Sequence, residues 1–113
     1  MKEKIDGNFL ISIVWIEGFK LSKETCEVVV TTVESNMDIC YSMEFKEILY
    51  AKFRQENPEE EFEVIETICQ PLRESDMLKF MNSSSREDYW VIEFESGIHQ
   101  LVICFKDVLI TKN

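Results

Sequence analysis

The amino-acid sequence predicts an α+β fold that is mainly antiparallel β, with a single twisted sheet of about five to six strands and one short helix packed on one face. Three observations support this fold class. Short runs rich in β-branched and aromatic residues recur along the chain. Several of these runs alternate apolar and polar residues, as strands with one buried face do. The last two runs flank a Ser-Gly turn, which indicates a β-hairpin. The length of 113 residues is that of one domain, residues 1–113.

The first two strands are predicted from apolar runs. Phe9–Ile16 is apolar on both faces, as expected of a central strand. Gly18 and the polar stretch Lys20–Glu24 indicate a turn. After this turn, the β-branched run Cys26–Val33 predicts the second strand.

The middle of the chain is ambiguous. Ser35-Asn36 supplies a turn, and Ile39–Phe45 then alternates with the period of a strand. The next apolar positions, Leu49–Phe53, fit either a helical stripe that ends at Asn57-Pro58 or a strand that continues the sheet past a bulge at Lys46-Glu47. We favour the strand.

A further strand, one helix and a final hairpin are predicted in the second half. Phe62–Gln70 alternates and is followed by a proline. Ser75 can cap a short helix that runs to Asn82. The hairpin pairs Tyr89–Glu95 with Leu101–Phe105, and Val108–Ile110 extends or follows it.

The charge of the chain narrows the classes of partner. There are 22 acidic and 12 basic residues, and the net charge is −10. A field of this sign repels phosphate backbones and anionic membranes but attracts basic proteins. We therefore expect no binding to nucleic acid or membrane. Lys2 and Lys4 precede an apolar stretch, as in a signal peptide, but Glu3 and Asp6 interrupt the basic region. This pattern predicts a cytoplasmic location.

A run of carboxylates without an intervening basic residue begins at Glu56 and ends at Glu66. The partner-binding residues predicted from it are Glu56, Glu59, Glu60, Glu61 and Glu63. Two alternatives are a loop that only keeps the protein soluble and a calcium site. The second lacks the ligand spacing of a calcium-binding loop.

No catalytic residue, metal site or cofactor is predicted, and we expect the protein not to be an enzyme. His99 is the only histidine and follows the hairpin turn, where we expect it to be exposed. The cysteines Cys26, Cys40, Cys69 and Cys104 lack the spacing of a zinc site. Each lies in an apolar run, so we favour reduced, buried thiols over the two disulfides that an even number of cysteines permits. With 3 glycines, no glycine-rich phosphate loop can be formed.

Two segments, MEFKEILYAKFR (Met43–Arg54) and YWVIEFESGIHQLVICFKDVLI (Tyr89–Ile110), resemble small acidic bacterial immunity-type proteins of polymorphic toxin systems. In these proteins a terminal hairpin returns as an apolar strand and ends in an aspartate and an apolar pair, here Asp107 to Leu109. The resemblance implies an acidic surface that neutralises a basic toxin. It also favours the strand at Leu49–Phe53 and provides no catalytic residue.

The predicted function is therefore that of a non-enzymatic, cytoplasmic protein-interaction domain, of the immunity type, that binds a basic partner. One alternative is a small-molecule or lipid-binding β cup lined by Trp15 or Trp90, although such aromatic residues more often belong to the core. Another is a structural domain without a ligand. An enzyme with a carboxylate acid–base pair is the least favoured reading. A homodimer is left open.

Overall fold

The computed structural model describes residues 4–54, 61–74 and 89–113. One helix, α1 (Gly7–Ser12), precedes the strands. The strands are β1 (Ile13–Leu21), β2 (Thr25–Glu34), β3 (Met37–Lys46), β4 (Tyr50–Arg54), β5 (Phe62–Glu63), β6 (Glu66–Pro71), β7 (Trp90–Glu95), β8 (Gln100–Phe105) and β9 (Asp107–Lys112). A single 3₁₀ turn, Leu72–Glu74, follows β6.

The strands form two sheets. The five-stranded sheet has the order β5-β1-β2-β3-β9, and the four-stranded sheet has the order β4-β8-β7-β6. Every pair of neighbours is antiparallel. The mainly antiparallel β class is therefore confirmed, and the prediction of one sheet of about five to six strands is wrong.

The chain passes from one sheet to the other four times: between β3 and β4, between β4 and β5, between β5 and β6, and at Lys106 between β8 and β9. Two of these crossings share one corner, where the N–H of Lys106 donates to the carbonyl of Lys46 at 3.3 Å. At the other corner, the N–H of Val64 donates to the carbonyl of Val14 at 2.9 Å. Strands that change sheets at corners bring the two apolar faces together.

The core lies between the sheets. Val28, Val30 and Phe45 contribute from the five-stranded sheet, and Phe94 and Phe105 contribute from the four-stranded sheet, all with no exposed surface. The rings of Phe45 and Phe105 meet edge to face with centroids 4.8 Å apart. Burial of each such side chain contributes roughly 1.5–3 kcal/mol. One short helix could not cover an apolar face of this extent, which is the physical reason for a second sheet.

A smaller apolar cluster lies on the opposite face of the four-stranded sheet. Leu72 packs there against Val91, Val102 and Cys104, and Tyr89 lies beside them. The 3₁₀ turn after β6 places Leu72 over this face. The four-stranded sheet is therefore apolar on parts of both faces, whereas the outward face of the five-stranded sheet is not part of either buried cluster.

The N-terminal element differs from the prediction. Residues 9–16 were expected to form a strand, but α1 includes Phe9 and the strand begins only at Ile13. Asp6 caps the helix, because its Oδ1 accepts a hydrogen bond from the N–H of Asn8 at 3.0 Å. An apolar run has no period that separates a helix from a buried strand. The predicted turn begins later than expected, because β1 continues through Gly18 to Leu21 and the chain turns at residues 22–24, within the predicted polar stretch.

Several other predictions are confirmed. The strands β2 and β3 are joined by a two-residue turn in which Ser35 and Asn36 have φ values of 52° and 65°. The favoured strand at Leu49–Phe53 is β4. The chain does not bulge at Lys46-Glu47, however, but leaves its sheet there. The final hairpin is β7 and β8, and Gly97 in its turn has a φ of 91°.

Phe62–Gln70 was expected to be one strand, but it is divided into β5 and β6, which belong to different sheets. The break falls at Val64 and Ile65, because their N–H groups bond to different sheets. The helix predicted from Ser75 to Asn82 lies outside the described residues. Within the described part of the chain, no helix is long and apolar enough to span a membrane.

Candidate functional site

The outward face of the five-stranded sheet carries a group of carboxylate side chains around a tryptophan. In β2, Val28 and Val30 point into the core, so Glu27, Val29 and Thr31 lie on the outward face. The pairing of β2 with its neighbours then assigns the outward residues of the other strands. These residues form three rows that run across the strands.

The first row is charged. Glu27 of β2 lies directly between Lys20 of β1 and Glu44 of β3, and Glu44 is in turn opposite Leu109 of β9. Like charges in directly opposed positions destabilise a sheet by up to about 1 kcal/mol. One lysine reduces this repulsion, because Lys46 Nζ lies 3.7 Å from Glu44 Oε1. The row nevertheless holds two adjacent carboxylates.

The second row, nearer to the start of β1, contains an aromatic ring among carboxylates. Trp15 lies between Glu63 of β5 and Thr31 of β2. The indole N–H of Trp15 donates to Glu61 Oε1 at 2.7 Å. The hydroxyl of Thr31 donates to Glu17 Oε1 at 2.6 Å. Three carboxylates therefore surround a half-buried tryptophan.

The third row lies between the charged row and the row of Trp15, and it is made of small side chains. Gly18, Val29, Ser42 and Thr111 follow one another across four strands. A Cβ atom added at Gly18 would have no heavy atom within 4 Å, so this position is open. Small residues therefore separate two rows of larger side chains on this face. We call this surface the acidic face and define it by Trp15, Glu17, Glu27, Glu44, Glu61 and Glu63.

The carboxylates predicted from the linear sequence contribute only part of this surface. Glu61 and Glu63 belong to the acidic face, whereas Glu56, Glu59 and Glu60 lie outside the described residues. Glu66, at the end of the same run, belongs to the other sheet, where it is opposite Glu95.

The members of the acidic face that sequence reasoning missed are Glu17, Glu27 and Glu44. Alternation with Val28 and Val30 indicates that Glu27 points outward. No local signal places Glu27 next to Glu44, because this neighbourhood depends on the pairing of β2 with β3.

His99 is buried, which corrects the expectation of an exposed loop residue. Its side chain is 9% exposed, and its ring stacks on Phe62 with centroids 5.3 Å apart and an interplanar angle of 9°. The Ser96 hydroxyl explains this placement, because it accepts from the N–H of His99 at 3.0 Å and folds the turn inward. The Oγ atom also lies 3.3 Å from His99 Nδ1. The ring therefore has a hydroxyl neighbour rather than the orienting carboxylate that a general base needs.

The four cysteines are free thiols, of which Cys26 and Cys104 are buried and Cys40 and Cys69 are half-buried. Burial raises the pKa of Cys26 and of Cys104 to about 11 and the pKa of Cys69 to about 12. The thiolate is the reactive form, so these three thiols are protonated and weakly nucleophilic at neutral pH.

The two tryptophans lie in different environments. Trp15 is on the acidic face, whereas Trp90 packs against the core between the sheets. They do not line a common cup. Among residues 4–54, 61–74 and 89–113, no group of three or more His, Cys, Asp or Glu side chains is placed to hold a metal ion.

Comparisons with known proteins give no relative for this chain: no protein-family model, curated protein or solved structure matches it. The acidic face is therefore identified as the candidate site by its geometry alone.

Proposed function

We propose that this chain is a non-enzymatic, cytoplasmic protein-interaction domain of the immunity type, and that it binds a basic protein partner through the acidic face. The observation that supports the proposal is the gathering of five carboxylates and one half-buried tryptophan on one side of the five-stranded sheet. The two lysines on the same surface, Lys20 and Lys46, do not balance these charges.

Electrostatic attraction accounts for the first step of binding. A surface with several uncompensated carboxylates steers a basic protein toward it and accelerates association, and salt weakens this effect. We expect this attraction to be strongest at Glu27 and Glu44, because the two carboxylates are directly opposed. A lysine or arginine of the partner placed between them would replace repulsion by two favourable contacts.

Trp15 accounts for the second step of binding, the close contact with the partner. Tryptophan and arginine are the residues most often found at the energetic centre of protein interfaces. The indole N–H is already bonded to Glu61, so the orientation of the ring is fixed before the partner arrives. An arginine of the partner can then stack on the ring face while it contacts the neighbouring carboxylates.

The test uses a fluorescein-labelled decalysine peptide as a basic probe and isotope-labelled protein. We expect the peptide to shift the NMR signals of the Trp15 indole and of the amides of β1, β2 and β3. The double variant Glu27→Gln/Glu63→Gln should weaken binding at least about tenfold at low ionic strength. The matched control Glu66→Gln/Glu95→Gln removes the same number of charges from the four-stranded sheet and should weaken binding by no more than about twofold.

Equal losses in the two double variants would mean that net charge alone attracts the peptide, and the acidic face would then have no special role. The immunity-type role needs a second measurement with a purified basic toxin encoded beside the gene for this chain. We expect inhibition of that toxin by the wild-type protein, and loss of inhibition in Trp15→Ala/Glu27→Lys but not in Glu66→Gln/Glu95→Gln. Full inhibition by the first variant would contradict the proposed site.

A further inference from the structure

We draw no further inference here: the strongest candidate, the exposed apolar patch of Val14 and Ile65 at the corner between β5 and β6, carries no proposal because nothing in the structure shows what covers it.

Discussion

Two buried polar atoms of the described residues, Thr67 Oγ1 and His99 Nε2, have no hydrogen-bond partner. A buried polar group without a partner costs about 1–3 kcal/mol. His99 tolerates this cost because its ring stacks on Phe62 and lies near Phe53, with centroids 5.3 and 6.5 Å away. At this position the aromatic surface of the imidazole contributes more to stability than its second nitrogen does.

Replacing His99 by phenylalanine should therefore raise the free energy of unfolding by about 1 kcal/mol, because the ring contacts remain and the unpartnered nitrogen is removed. His99→Ala should lower it by about 2 kcal/mol, since it removes the stack and leaves a cavity. Urea denaturation of both variants measures the difference. A lower stability for His99→Phe would show that the contact between Nδ1 and Ser96 outweighs the unpartnered Nε2.

At the scale of single elements, glycine has two different roles. Gly97 occupies the β7–β8 turn with a φ of 91°, a region that disfavours every side chain. Gly18 lies inside β1, and a Cβ atom there would meet no neighbour within 4 Å. The first glycine is needed by the backbone, and the second leaves open space between the side chains of the acidic face.

We expect Gly97→Ala to lower the free energy of unfolding by about 1–2 kcal/mol, because the backbone of the turn is strained by a Cβ atom. The control is Gly18→Ala, which should leave the stability unchanged or raise it by up to about 1 kcal/mol, because alanine restricts the unfolded chain. Thermal unfolding followed by circular dichroism compares the two variants. An equal loss of stability in both would contradict this assignment of roles.

The elements that the sequence predicts well are those with local signals. A few consecutive residues are enough to predict the alternation in β2 and β3, the turn at Ser35-Asn36 and the glycine turn at Gly97. The helix α1 also has a local signal, the cap at Asp6, but the apolar run after it fits a buried strand equally well. The four crossings between sheets have no such signal, because their outcome depends on which distant strands are available for pairing.

The residues of the candidate site are likewise predictable only where they are neighbours in the sequence. Glu61 and Glu63 could be predicted because they are neighbours in a run of acidic residues. Glu27 and Glu44 could not, because they are far apart in the sequence and meet only through the pairing of β2 with β3. The sequence predicts a core or pocket position for Trp15, whereas the end of α1 at Ser12 and the start of β1 place it on the outward face.

At the scale of the whole molecule, the buried thiols link stability to pH. Burial raises the pKa of Cys26 and Cys104 to about 11 and the pKa of Cys69 to about 12, from a usual value of 9.0. Above pH 9.0 the unfolded chain loses these protons while the folded chain keeps them. The contribution of the thiols to stability is therefore fully present below pH 9.0 and is lost as the pH rises to about 12.

The variant Cys26→Ala/Cys69→Ala/Cys104→Ala should be less stable than the wild type at neutral pH but should lose less stability between about pH 8 and about pH 10.5. Urea denaturation at the two pH values measures both slopes. The comparison isolates the three thiols, because every other side chain is the same in the two proteins. Parallel pH profiles would contradict the proposed role of the buried thiols.

The two corners of the fold have a consequence for synthesis on the ribosome. The meander β1–β2–β3 can pair as soon as it emerges, but its sheet is completed only by β5 and by β9, and β9 begins at residue 107. Until β7 and β8 are translated, the valines of β2 have no layer opposite them. Sheets with such distant pairings fold slowly and expose apolar surface during the delay. We therefore expect the nascent chain to need protection by a chaperone that binds apolar strands until its final hairpin leaves the exit tunnel.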